Sequence, residues 1–176
     1  MIELDELVAD FAAGMEAVDA MGPVGASKTR TYRPGIGPLT EDEALTRVLE
    51  HLKLTRAGVY EAAGPRAYPE SRQKCDLVLP GQWAIEAKLL RPFGDNGAEA
   101  ENWSVNILHP YPGNISSVGD CHKLIHSGFA ERKAVLVFGY EHIPARIPLG
   151  VAINSFEAIA NHVSELRLSR RYEATT

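Results

Sequence analysis

Two alternating segments, residues 73–79 and 83–90, flank the tripeptide Pro80-Gly81-Gln82 and constrain this chain more than any other stretch of it. Successive side chains of a strand point to opposite faces. Leu77 and Leu79 therefore share one face of the first segment, and Trp83, Ile85, Ala87 and Leu89 share one face of the second. In a hairpin the apolar faces must coincide. A three-residue loop pairs Leu79 with Trp83 and Leu77 with Ile85, whereas a two-residue loop that pairs Leu79 with Gln82 sets core residues against polar ones. The first register places Asp76 opposite Glu86.

Opposed carboxylates have Cβ atoms roughly 5 Å apart and repel, which costs stability unless positive charge lies between them. A divalent cation is the natural partner. Mg²⁺ prefers carboxylate oxygens and keeps several waters, one of which can become a nucleophile toward a phosphodiester. Lys88 lies two residues beyond Glu86 on the same face, placed to orient that water or to stabilise charge developing on the phosphate. Asp76, Glu86 and Lys88 are thus candidate catalytic residues, with Asp76 and Glu86 as the metal ligands. The bland alternative is a surface hairpin with an ordinary Glu-Lys pair, because an acid followed by Glu-x-Lys is a short motif.

The rest of the chain reads as helices and strands around this hairpin. Leu4, Leu7, Val8, Phe11, Met15 and Val18 recur at helical spacing and predict an amphipathic helix over 3–20 with an acidic outer face, whose apolar stripe needs a partner, either internal packing or a second copy in a homodimer. Residues 22–38 are rich in Gly and Pro and carry Lys28, Arg30 and Arg33. A solvated connector is favoured there over a DNA-touching arm. Thr40 and Glu43 have the form of a capping box, and Leu45, Val48, Leu49 and Leu52 then supply one apolar face, which predicts a helix over 40–56. A helix over 115–129 precedes the apolar run 133–140, which reads as a buried strand. Asn154 with Glu157 opens a last helix with Phe156, Ile159, Ala160, Val163 and Leu166 inward, and Arg167, Arg170 and Arg171 at its end complement the helix dipole.

At 176 residues and 45% hydrophobic the chain can bury one sizeable core, so a single domain over 1–176 is expected: an acidic helix in 1–22, a basic connector in 23–39, a core in 40–140 and a C-terminal extension in 141–176. Its formal charge of -5 argues against coating nucleic acid through charge alone. Residues 1–22 contribute -6 of this, however, which leaves the remainder at +1. No run approaches the ~20 apolar residues of a membrane span and the first residues lack the pattern of a secretory signal, so a cytoplasmic location is expected. Cys75 and Cys121 then read as buried thiols and not as a bridge.

The residues also resemble the PD-(D/E)xK nuclease superfamily, which has the restriction-endonuclease-like fold. The resemblance rests on Asp76 in the middle of one strand and Glu86-Ala87-Lys88 near the end of the next, after a helix at 40–56 and before a helix at 115–129 and a strand at 133–140, and it spans about residues 40–140. It departs from the family pattern in having Cys75, not Pro, before the acid. The resemblance implies an α/β fold with an αβββαβ core, a central mixed sheet flanked by helices, here with an extra acidic helix before it and a helix after it. It implies a Mg²⁺-dependent endonuclease, with Mn²⁺ substituting, that hydrolyses double-stranded DNA in restriction, repair or defence. Asp76 and Glu86 would hold the metal and Lys88 would assist the attacking water. Many members add a helical acid, for which Glu43 and Glu50 are the candidates. A catalytically silent binding or regulatory subunit of the same fold is the alternative.

Further candidates for nucleic-acid contact are Lys74, Arg91, Trp103, His109, Tyr111 and Lys123. Several lie in the weakly periodic segment 91–114, where aromatic residues either stack on bases or pin an irregular loop to the core. His122 and His126 share a helical face but lack a nearby Glu, a poor pattern for a metal. There is no Gly-rich phosphate loop and no G-x-S-x-G elbow, so nucleotide hydrolysis and serine esterase chemistry have no sequence support.

Overall fold

The computed structural model describes residues 1–25, 32–94, 96–100, 102–111 and 113–176, and these form a mixed α/β protein with a four-stranded mixed sheet and six helices. The chain divides into two compact units, Met1–Gly64 with Tyr172–Thr176, and Pro65–Arg171. No helix among the described residues is long and apolar enough to cross a membrane.

In the first unit, helix α1 (Leu4–Ala20) buries Leu7, Phe11, Gly14 and Val18, one stripe at three- and four-residue spacing. Helix α2 (Glu41–Thr55) starts at the expected capping box: Thr40 Oγ1 accepts from the Glu43 N–H at 3.3 Å, and the Glu43 carboxylate accepts from the Thr40 N–H at 3.0 Å. The two helices pack closely because position 14 lacks a side chain; a Cβ there would lie 2.9 Å from Val48 Cγ1. The apolar stripe of α1 therefore has a partner inside the unit, in helix α2. After the short helix α3 (Ala57–Tyr60), the Tyr60 hydroxyl donates to Asp10 at 2.8 Å while Arg56 bridges Asp10 and Glu6, so part of the acidic face of α1 is also engaged. The connector differs from a solvated linker in its second half, where Ile36 and Leu39 are buried and the Ile36 N–H donates to Asp19 at 2.9 Å. Lys28 and Arg30 lie outside the described residues, and Arg33 is exposed.

The sheet is built from β1 (Gly64–Ala67), β2 (Lys74–Leu79), β3 (Trp83–Leu90) and β4 (Arg132–Gly139), in that spatial order. β2 and β3 are antiparallel with Leu79 opposite Trp83 and Leu77 opposite Ile85, the register that the matching of apolar faces requires. β3 and β4 are parallel, which sets Glu86 beside Val135 and Lys88 beside Val137. The long connection between them carries helix α4 (Trp103–Leu108) and helix α5 (Ser117–His126). The short α4 was not expected. Strand β4 is a correction of another kind: its apolar run suggested burial, yet residues 134–139 are only half-buried, because β4 is the last strand of the sheet among the described residues.

Helix α6 (Leu149–His162) starts before Asn154, with Pro148 at its N-cap, so Asn154 and Glu157 lie inside the helix and do not cap it. Their side chains instead accept from Arg171 Nη1, at 2.6 and 3.1 Å. Arg167, Arg170 and Arg171 follow the end of the helix and are not part of its last turn. Leu166 is buried beyond that end, where its N–H closes onto the Ala160 carbonyl at 2.8 Å.

One face of β3 presents Ala84, Glu86, Lys88 and Leu90. Ala84 belongs to an apolar cluster with Tyr68, Cys75, Val78, Leu124 and Phe129, and Leu90 belongs to a second one with Ile107, Val118, Cys121 and Phe156. Helix α5 contributes to both, Leu124 to the first and Val118 and Cys121 to the second. It is thereby laid along this face, and the two charged residues of β3 are left beneath its middle turns.

Candidate active site

The acid on β2 is held by the backbone of β3. Past the Leu77–Ile85 pair, the Asp76 carboxylate takes over as a hydrogen-bond acceptor for the sheet: its Oδ2 accepts from the Ala87 N–H at 2.8 Å. A charge-assisted bond to a rigid strand fixes this half-buried carboxylate in place.

Glu86 is 2% exposed, and its Oε1 is a meeting point. The Tyr68 hydroxyl donates to it, and Lys123 Nζ lies 3.3 Å away. Burial pushes the Glu86 carboxyl up to about 8, and the Asp76 carboxyl that hydrogen-bonds with it pushes in the same direction, against the opposing pull of Tyr68. The repulsion between the paired acids is thus relieved by a proton and by Lys123. Burial and the bond to Glu86 raise the Tyr68 phenol, which keeps it a donor.

The two lysines meet a third acid. Asp120, on the first turn of α5, is fully buried; its Oδ2 lies 2.9 Å from Lys88 Nζ and its Oδ1 lies 2.6 Å from Lys123 Nζ. Lys88 is itself buried, whereas about a third of the Lys123 side chain is exposed. Burial works against the Lys123 charge, but Asp120, with Glu86 behind it, more than compensates and holds the ammonium above the usual lysine range. A buried ion without an opposite charge nearby is costly, and here Asp120 lies at ion-pair distance from both ammonium groups.

The structure therefore brings together Asp76, Glu86, Lys88 and Lys123 from the sequence candidates, and adds Tyr68 and Asp120. Asp120 was legible only as a polar residue of a helix, since an acid in a first helical turn is common for dipole reasons alone. Tyr68 lies between β1 and β2, in a stretch with no periodicity. Glu43 and Glu50 belong to the first unit, where Glu43 is occupied by its capping box and Glu50 is exposed. Trp103 is half-buried and packs against the cluster around Leu90 and Phe156. His109 contacts Tyr111 edge-on and bonds with Asn114, Lys74 and Tyr111 are exposed, and Arg91 is half-buried. His122 and His126 stack on one another. Both cysteines are free and buried, and burial pushes each thiol up to about 12.

Among the described residues no group of three or more His, Cys, Asp or Glu side chains is gathered to hold a metal. Asp76 and Glu86 form a pair. Mg²⁺ is commonly bound through one or two carboxylates and retains water in its other positions, so these two hard oxygen donors fit such an ion. Comparison with protein-family models, with curated proteins and with solved structures finds no match.

Proposed function

We propose that this chain is a Mg²⁺-dependent endonuclease that hydrolyses phosphodiester bonds of double-stranded DNA. The observation that carries the reading is the convergence of two hydrogen-bonded carboxyl groups, Asp76 and Glu86, with two ammonium groups, Lys88 and Lys123, on one face of β3. A structural ion pair has no need for opposed acids, which cost stability. The order of elements, a helix, three strands, helices and a parallel strand, agrees with the αβββαβ core of the PD-(D/E)xK superfamily and supports the same reading.

Asp76 and Glu86 would hold the cation, Glu86 giving up its proton. When bound, the ion would supply Lewis acidity toward the phosphate and an acidified water. The chain's own groups do the rest. Lys88 keeps an ammonium on the Glu86 face, placed to orient the attacking water, and Lys123 offers a partly exposed cation to the phosphate oxygens. Mn²⁺ is expected to substitute.

The runner-up is a catalytically silent binding or regulatory subunit of the same fold. It is favoured by one observation, that Lys88 and Lys123 are both committed to Asp120. Incubation with supercoiled and linear DNA, single-stranded DNA and RNA, in Mg²⁺, Mn²⁺ or EDTA, separates the two. Metal-dependent cutting of duplex DNA that Lys88→Ala slows ~10²-fold supports the nuclease; DNA binding with no cutting of any substrate replaces it with the binding subunit.

A further inference from the structure

Two ammonium groups beside a carboxyl pair must be held apart, and the residue that does this lies outside the hairpin. We propose that Asp120 is a positioning residue of the site: it seats Lys88 on one carboxylate oxygen and Lys123 on the other, which fixes one buried and one partly exposed cation beside Glu86. The proposal rests on the nuclease reading above and adds to it the device that divides the work of the two lysines.

The geometry carries it. Asp120 is fully buried, at 0% exposure, and its two oxygens lie 2.9 Å from Lys88 Nζ and 2.6 Å from Lys123 Nζ. The carboxylate is itself fixed. Its residue closes the first turn of α5 with an N–H to the Ser116 carbonyl at 2.8 Å, while the Ser116 hydroxyl accepts from the Gly119 N–H at 3.2 Å. The adjacent Val118 and Cys121 anchor that turn in the cluster around Leu90. Lysine side chains are flexible and lose much rotamer freedom when ordered, so a rigid acceptor that orders two of them removes that cost from the reaction step. Lys123 also reaches Glu86 at 3.3 Å. Without Asp120 this ammonium keeps Glu86 as an acidic partner and settles on the metal-binding carboxyl, while Lys88 loses the carboxylate 2.9 Å from its Nζ.

A purely structural bridge between α5 and β3 is the competing explanation, and kinetics distinguish the two. Asp120→Asn keeps the shape and one acceptor oxygen but removes the charge. It should lower kcat for duplex DNA in saturating Mg²⁺ by at least about tenfold, with KM within about threefold of wild type, since the lost order is felt in the transition state. It should also speed acylation of Lys88 by an amine-reactive reagent, followed by mass spectrometry, a readout independent of nuclease activity. Because Asp120→Asn removes the carboxylate charge beside a buried ammonium and could prevent folding, the double variant Lys88→Met/Asp120→Asn is compared with Lys88→Met. In that background Asp120 acts through Lys123 alone, so the second substitution should cost less in kcat than Asp120→Asn costs in wild type, and less than about tenfold. The proposal is overturned if wild type cuts DNA and Asp120→Asn cuts with unchanged kcat, or if the double variant is tenfold or more worse than Lys88→Met. If wild type cuts no substrate, the nuclease reading itself has failed and takes the catalytic role of Asp120 with it; unchanged acylation of Lys88 in Asp120→Asn separately refutes the seating.

Discussion

Glu86→Gln gives the most direct test of the buried carboxyl pair. The Glu86 carboxyl has an ordinary value of 4.5 and is pushed up to about 8 in the folded protein by burial and by Asp76. Between these values the folded chain holds a proton that the unfolded chain has released, so stability is fully present at the acidic end of this window and falls as pH rises through it. One proton gives a slope of at most ~1.4 kcal/mol per pH unit, and the loss across the window is of the order of 4 kcal/mol. Gln is neutral and nearly the same shape, so the variant lacks this component. Urea unfolding of both proteins in EDTA, at about pH 5, 6, 7 and 8, should show wild type losing stability relative to Glu86→Gln with each step, and the contributions of the six histidines cancel in the difference. Because a cation must displace the proton, Mg²⁺ should stabilise wild type more at the alkaline end of the series than at the acidic end. Parallel profiles for the two proteins would refute the reasoning. So would a wild type that gains on the variant as pH rises, since Glu86 would then be ionised in the fold with its pairing to Lys123 dominant.

Three further outcomes follow from individual contacts. Lys88→Ala should fold, because Asp120 retains Lys123, and should cut duplex DNA ~10²-fold more slowly with little change in DNA affinity, as measured by single-turnover cleavage and equilibrium binding. Gly139→Ala places a Cβ 2.1 Å from the Leu90 carbonyl oxygen, so the end of the β3–β4 ladder must shift; urea unfolding should show a loss of about 3 kcal/mol or more, and an unchanged midpoint would contradict the close approach. Thr40→Ala removes one half of the α2 capping box and should cost about 1 kcal/mol in the same assay.

The hairpin was legible because its constraint is parity. Once Leu77 and Leu79 had to face Ile85 and Trp83, no freedom of register remained, and the placement of Asp76 near Glu86 followed. The capping box of α2 was legible for a similar reason, a local rule satisfied by two residues three apart. The acceptor of Lys88 was not. Asp120 is far from the hairpin in sequence, and it comes to Lys88 only because Val118, Cys121 and Leu124 lay α5 across β3, a tertiary fact without a local signature. Strand β4 misled because an apolar run reports what a strand contacts on its faces and not whether another strand lies at its edge. Likewise Asn154 and Glu157 have the composition of a helix start, but the preceding Leu149–Ile153 already continues the apolar helix, and their side chains are used by Arg171.

The hydrogen bond from the Ala87 amide to Asp76 also gives the protein a built-in reporter. In a regular ladder a backbone N–H meets a carbonyl and senses only the neighbouring strand, but this one is capped by the side chain at the centre of the site. Any event at that carboxylate, whether protonation, capture of a cation or approach of a phosphate, alters the electron density the amide proton donates to. A single resonance in the nitrogen–proton spectrum, with no label added and no residue changed, should therefore move with occupancy of the site, while the Leu77–Ile85 pair just behind it provides a reference that stays still.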